Sequence, residues 1–159
     1  MLIYVFLFFI FLMFFRISVI DWREHAIYDK DIVLTMVFVA LYKVFYGDFL
    51  SSLYGFAMGL IAGLLIFSVV YKVYGFEAFC QGDVILLAAL GFFLDMSFLH
   101  YFALSMMLGG ILGVLMLLLS RKHAEDIELA YAPVLLVWLP LYFYFNRPSL
   151  WAIYNLLFS

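Results

Sequence analysis

Two aspartates have the right type and setting for acid–base chemistry. Asp83 stands directly after Gly82 in Phe79-Cys80-Gln81-Gly82-Asp83-Val84-Ile85-Leu86-Leu87-Ala88-Ala89-Leu90, at the mouth of a long apolar run. Asp21 closes the first apolar segment, in Ser18-Val19-Ile20-Asp21-Trp22-Arg23. In a soluble protein Asp83 would be an ordinary helix N-cap. Among residues that belong in lipid, a carboxylate is costly and marks a functional position. Two carboxylates at close range cannot both ionise, so they share a proton. One then acts as base on a water while the other donates its proton to a scissile carbonyl. This is aspartic proteolysis. It requires the carboxyl carbons to come within roughly 5 Å, the range of strong like-charge coupling. On pattern alone, two unrelated acids at helix ends remain an equal reading.

The helix settings suggest roles. A helix N-terminus favours the anion, so Asp83 is the expected base. Asp21, at a helix C-terminus, is the expected proton holder, although Arg23 could reverse this and the pair would titrate as a unit. The remaining acids read as bland. Asp29 and Asp31 border the second helix and are expected to cap it, Asp48 and Asp95 lie in outer turns, and Glu77 sits in the loop before Asp83. Glu125, Asp126 and Glu128 form a solvated run.

Other catalytic classes fit worse. No H-E-x-x-H is present, and His123 with its acidic neighbours offers one histidine only. No G-x-S-x-G is present, and nothing supports Ser18 with His25 as a nucleophile pair. No metal and no cofactor is expected, because the carboxylate chemistry needs only water.

The elements that must position these residues are membrane helices. Of 159 residues 70% are hydrophobic and 12% charged, and the mean hydropathy is +1.20. A soluble domain is about half apolar. The net charge of −3 gives no reason to expect a nucleic-acid partner, and lipid is the expected surroundings. A single cysteine, Cys80, excludes an internal disulfide or a cysteine-based zinc module. The N-terminus enters apolar residues with no basic region and no A-x-A-like site, so a retained helix is expected rather than a cleaved signal.

The expected fold is all-α: one integral membrane domain over 1–159, a polytopic bundle of about six transmembrane helices. The apolar runs give spans near 2–20, 32–46, 51–71, 83–99, 101–119 and 130–146. Pro148 to Phe158 is apolar but only about half a span. Arg16, Arg23, Lys30, Lys72, Arg121 and Lys122 fall on one side and only Lys43 and Arg147 on the other. By the positive-inside rule the larger group marks the cytoplasm, which puts Asp21 and Asp83 at cytoplasmic helix ends and the N-terminus outside. Gly55, Gly59 and Gly63, and later Gly109, Gly110 and Gly113, read as close-packing faces. Trp22, Tyr42, Tyr46, Tyr71, Tyr74 and Trp138 suit an interfacial belt.

Cys80-Gln81-Gly82-Asp83-Val84-Ile85-Leu86-Leu87-Ala88-Ala89-Leu90-Gly91 resembles the G-x-G-D-V-K-L-L-A-A-L-G signature of type IV prepilin peptidases. Ile20-Asp21-Trp22-Arg23-Glu24-His25-Ala26-Ile27 is similar to that family's first aspartate motif, and Ile127-Glu128-Leu129-Ala130-Tyr131-Ala132-Pro133 to a worn form of its I-P-F-G-P. The resemblance implies a bacterial inner-membrane aspartic endopeptidase. Such enzymes cut the short basic leader of type IV pilin-like precursors at the cytoplasmic face, commonly after a glycine. It implies Asp21 and Asp83 as the catalytic pair, and Gly82 as the bare position where substrate backbone approaches the carboxylate.

There are departures. Cys80 replaces a glycine, Tyr28 a proline, Ile85 a lysine, Leu129 a proline and Ala132 a glycine. The cytoplasmic segment with paired cysteines found in longer, methylating members is lacking, so proteolysis without a methylation site is expected. A second reading is a degenerate member serving as an assembly subunit of a pilus or secretion machine. A third is a small proton-coupled transporter, which would want its acids at mid-membrane depth. The identity of the precursor and any homo-oligomer stay open.

Overall fold

The structure, a computed structural model, describes residues 2–74, 81–120, 131–136 and 138–146. Among these residues it is helical, with no strand. In order the helices are α1 (Leu2–Glu24), α2 (Asp29–Tyr46), α3 (Phe49–Tyr74) and α4 (Gln81–Leu94), then a 3-10 turn at Asp95–Ser97. They are followed by α5 (Phe98–Ser120), α6 (Tyr131–Leu136) and α7 (Leu139–Asn146). Three stretches are long and apolar enough to cross a membrane: Leu2–Glu24, Phe49–Lys72 and Gln81–Leu112. With the composition, these make the chain a helical membrane protein.

α4 is the centre. From Asp83 to Leu94 every side chain except Ile85 is buried. A helix that is apolar all round is one surrounded by others. At 14 residues it rises only about 21 Å, short of the roughly 30 Å hydrocarbon core. Its surroundings are protein, so it need not match that thickness.

In lipid, apolar burial gives little drive for helices to associate, and close backbone approach takes its place. The glycines of α3 supply it. A Cβ on Gly55 would lie 2.2 Å from the Gly91 carbonyl oxygen, and one on Gly59 2.2 Å from that of Leu87. A Cβ on Gly63 would lie 3.0 Å from the Val84 Cα. As residue numbers rise along α3 they fall along α4, so the two helices run antiparallel. The stripe therefore docks α3 onto the helix that carries Asp83. The second stripe is not one face: a Cβ on Gly109 would meet Val134 of α6 at 2.8 Å, whereas Gly110 faces open space. The Gly113 side of α5 lies outside the described side chains.

α1 and α2 complete the packing. Phe11, Phe14 and Tyr42 converge on the Phe93 ring of α4 with centroids 5.9, 5.9 and 6.2 Å away. Tyr42 is therefore core, not part of an interfacial belt. Trp138 is half-buried, stacked on Tyr101 at 5.1 Å and donating its indole N–H to Ser105 Oγ at 3.1 Å. Trp22, Tyr46 and Tyr71 are exposed, as a belt requires. The Tyr74 side chain lies outside the described ones.

Several boundaries differ from the expected spans. The chain breaks at Asp95–Ser97 rather than near residue 100, with Asp95 at φ 56°. The last expected span is described as α6 and α7, on either side of residue 137, which lies outside the described residues. Asp31 does not cap α2. Tyr28 occupies the N-cap without a side-chain bond, and Asp31 is buried and paired with Arg16 of α1 at 3.3 Å. Asp95 and Lys43 read as ordinary charges in the sequence. They form a part-buried ion pair, and Ser52 Oγ donates to the same Asp95 Oδ1 at 2.6 Å. Asp48 does cap α3, accepting from Leu50 and Ser51 backbone N–H at 3.1 and 3.3 Å.

Candidate active site

The contacts fix which ends meet. The short loop 25–28 makes α1 and α2 a hairpin, Gly47-Asp48 makes a second with α3, and α3 is antiparallel to α4. Helix directions therefore alternate, and the last turn of α1 and the first turn of α4 lie at the same end of the bundle. Asp21 occupies the first of these and Asp83 the second. Both are buried, at 5% and 8% relative exposure.

Asp21 sits on the buried stripe of α1, with Leu7, Ile10, Phe14, Ile17 and Ser18, a spacing of three and four that keeps one helix face inward. The helix runs on to Glu24 and closes where the His25 N–H meets the Asp21 carbonyl at 2.9 Å. His25 takes the left-handed conformation, φ 49°, common just past a helix end. The Asp21 carboxylate reaches across the bundle: Oδ2 accepts the Ala132 backbone N–H at 2.8 Å. That N–H belongs to the first turn of α6, where helical donors have no partner of their own. Little in residue order pointed to this contact, because Ala132 falls in the weakest of the three motifs.

Asp83 lies in the first turn of α4, after Gln81 and Gly82. A Cβ on Gly82 would come within 3.0 Å of Ile27 Cβ and 3.3 Å of the Ile27 carbonyl oxygen, so the loop after Asp21 lies directly against the residue before Asp83. Tyr28, at a position where proline was expected, donates its hydroxyl to Glu24 Oε2 at 2.7 Å and so ties that loop to the end of α1. The Glu24 carboxylate, by accepting this bond and by its charge, raises the Tyr28 phenol above its ordinary pKa. Ile85, standing for a lysine, is the one side chain of α4 past Asp83 that points outward, so its identity does not bear on the packing.

Among the described residues no three His, Cys, Asp or Glu side chains gather as a metal site would need. Cys80, Glu77 and the run from His123 to Glu128 lie outside the described residues, as do Ile127 to Ala130 of the late motif and Pro148 to Phe158.

No curated protein and no solved structure matches the chain. A family model does: that of the type IV leader peptidase family, over residues 6–120. The matched segment holds α1 to α5 and both aspartates, and ends before Ala132. A match over most of the sequence, spanning both aspartate motifs in their order, makes the chain a member of the type IV leader peptidase family.

Proposed function

We propose that the chain is a membrane-embedded aspartic endopeptidase that removes the leader of type IV pilin-like precursors at the cytoplasmic face of a bacterial inner membrane. Asp21 and Asp83 form its catalytic pair. The observation that carries this reading is the presence of both buried carboxylates at one end of the bundle, with Gly82 packed on the loop that follows Asp21. Membership of a peptidase family supplies the reaction class.

In the proposed reaction one carboxylate takes a proton from water as the water oxygen adds to the scissile carbonyl carbon. The other carboxyl gives its proton to the carbonyl oxygen. Collapse of the tetrahedral intermediate breaks the C–N bond. The leaving nitrogen takes the proton gained from water, and the second carboxyl recovers its own from the oxygen. One water is consumed, and an acid and an amine are formed. The Ala132 N–H on Asp21 Oδ2 holds that carboxylate in a fixed orientation for the reaction. This bond also removes the basis for assigning roles from α1 alone, since Asp21 faces both the C-terminal turn of α1 and the N-terminal turn of α6. Gly82 carries no side chain beside Asp83, and the Ile27 loop packs against it. The substrate backbone would approach there once that loop moves aside.

The orientation rests on the excess of Lys and Arg at the end of the bundle that holds Asp21 and Asp83. In this reading the chain makes six passes: α1 to α4 alternate in direction, α5 would continue the alternation, and α6 with α7 would form the return. The chain should cut a precursor with a short basic leader, a glycine and an apolar helix, giving a product shorter by the leader on a gel. A precursor left intact here, yet cut by a longer family member in the same membranes, rejects the reading. Orientation is tested with single cysteines, Glu24→Cys and Asp48→Cys, in a Cys80→Ser background. An impermeant thiol reagent added outside labels position 48 and spares 24; the reverse pattern inverts the topology. Losing the Asp48 cap costs about 1 kcal/mol, which leaves the fold intact.

A further inference from the structure

Ser18 is the second polar group on the buried face of α1, one turn before Asp21. Its Oγ is buried and has no hydrogen-bond partner. Three other helical hydroxyls among the described residues satisfy themselves in the ordinary way, by donating to the carbonyl four residues back. Thr35 bonds Asp31 at 2.7 Å, Ser68 bonds Leu64 at 2.8 Å and Ser105 bonds Tyr101 at 2.9 Å. Ser18 does not use the Phe14 carbonyl. A buried polar group without a partner is rare and calls for one supplied by a water or a ligand.

Residues three apart on a helix have Cβ atoms roughly 5–6 Å from each other. One water bridges such a gap with two hydrogen bonds of about 2.8 Å. We propose that Ser18 is a positioning residue that holds the attacking water beside Asp21. Its Oγ takes the water hydrogen that is not transferred, which turns the water's lone pair toward the scissile carbonyl. Asp21 supplies the carboxylate oxygen on the other side of that water. The proposal rests on the peptidase reading and adds to it a residue with no role in the carboxylate pair.

The test measures precursor cleavage by the full chain in detergent, with the basic-leader precursor as probe, alongside thermal unfolding. Ser18→Ala lowers kcat about tenfold or more, the effect of one lost hydrogen bond in the transition state, with KM within about twofold of the parent. The unfolding midpoint changes little, since no protein group bonds the hydroxyl. Thr and Val match in shape and differ in the hydroxyl, so Ser18→Thr keeps a kcat well above that of Ser18→Val. Equal rates for Thr and Val, or a Ser18→Ala kcat within twofold of the parent, overturn the proposal while the peptidase reading stands. So does a raised KM with kcat retained, or a loss of activity that merely follows a loss of stability. If the parent chain itself cuts no precursor, the peptidase reading fails and the role of Ser18 fails with it.

Discussion

Asp21→Asn and Asp83→Asn each lower precursor cleavage by about a thousandfold or more. The expected size follows from losing general acid–base catalysis, which contributes about a hundred- to ten-thousandfold, together with the electrostatic part of the same carboxylate. An amide can neither take a proton from water nor give one to a carbonyl oxygen. The double variant is no slower than the worse single one, because a pair that shares one proton acts as a unit. Both single variants remain folded. At position 21 the amide oxygen can still accept the Ala132 N–H that Asp21 Oδ2 accepts at 2.8 Å. At position 83, in the first turn of α4, Asn is among the residues tolerated at helix starts. The measurement is the rate of leader loss, with unfolding midpoints as control. A folded Asn variant that cuts at the parent rate removes that aspartate from the reaction.

The second large effect is on the fold. Gly55→Ala and Gly91→Ala each destabilise the bundle by about 3 kcal/mol, the upper part of the usual range for overpacking. The added methyl would sit 2.2 Å from the Gly91 carbonyl oxygen in the first case and 2.1 Å from that of Gly55 in the second. Both obstacles are backbone, so no side chain can swing aside and the two helices must part. Separation loosens α4, and with it the first turn that carries Asp83. Activity therefore falls with stability. Gly110→Ala is the internal control. Nothing lies within 4 Å of a methyl there, and replacing a mid-helix glycine is worth up to about 1 kcal/mol in favour of the helix. Unfolding midpoints in one detergent rank the three variants. Equal midpoints for Gly55→Ala and Gly110→Ala would show that α3 and α4 are not in contact along this stripe.

Composition established a membrane protein, and apolar runs of near-span length made it a helical one. At 70% hydrophobic and 12% charged, the chain cannot cover a soluble surface, and spanning lipid leaves helices or closed barrels as options. The aspartate motifs pointed to the family, and Asp21 and Asp83 stood out because a carboxylate against an apolar helix needs a reason to be there. These are local properties, written in residue type and near-neighbour order. Partners distant in sequence are not. Lys43 and Asp95 looked like unrelated surface charges, and only the meeting of α2 with the turn after α4 makes them a pair. Asp31 looked like a cap until α1 brought Arg16 beside it. Gly109 and Gly110 are adjacent in sequence, yet one faces α6 and the other open space, because consecutive residues on a helix point about 100° apart. The Ala132 N–H on Asp21 depends on α6 arriving at the end of α1, a contact between residues far apart in sequence. Hydropathy decides which residues avoid water. In lipid, where most side chains are apolar whichever way they face, it cannot decide which helix face meets which, and that choice falls to shape, close backbone approach and the pairing of the few polar groups.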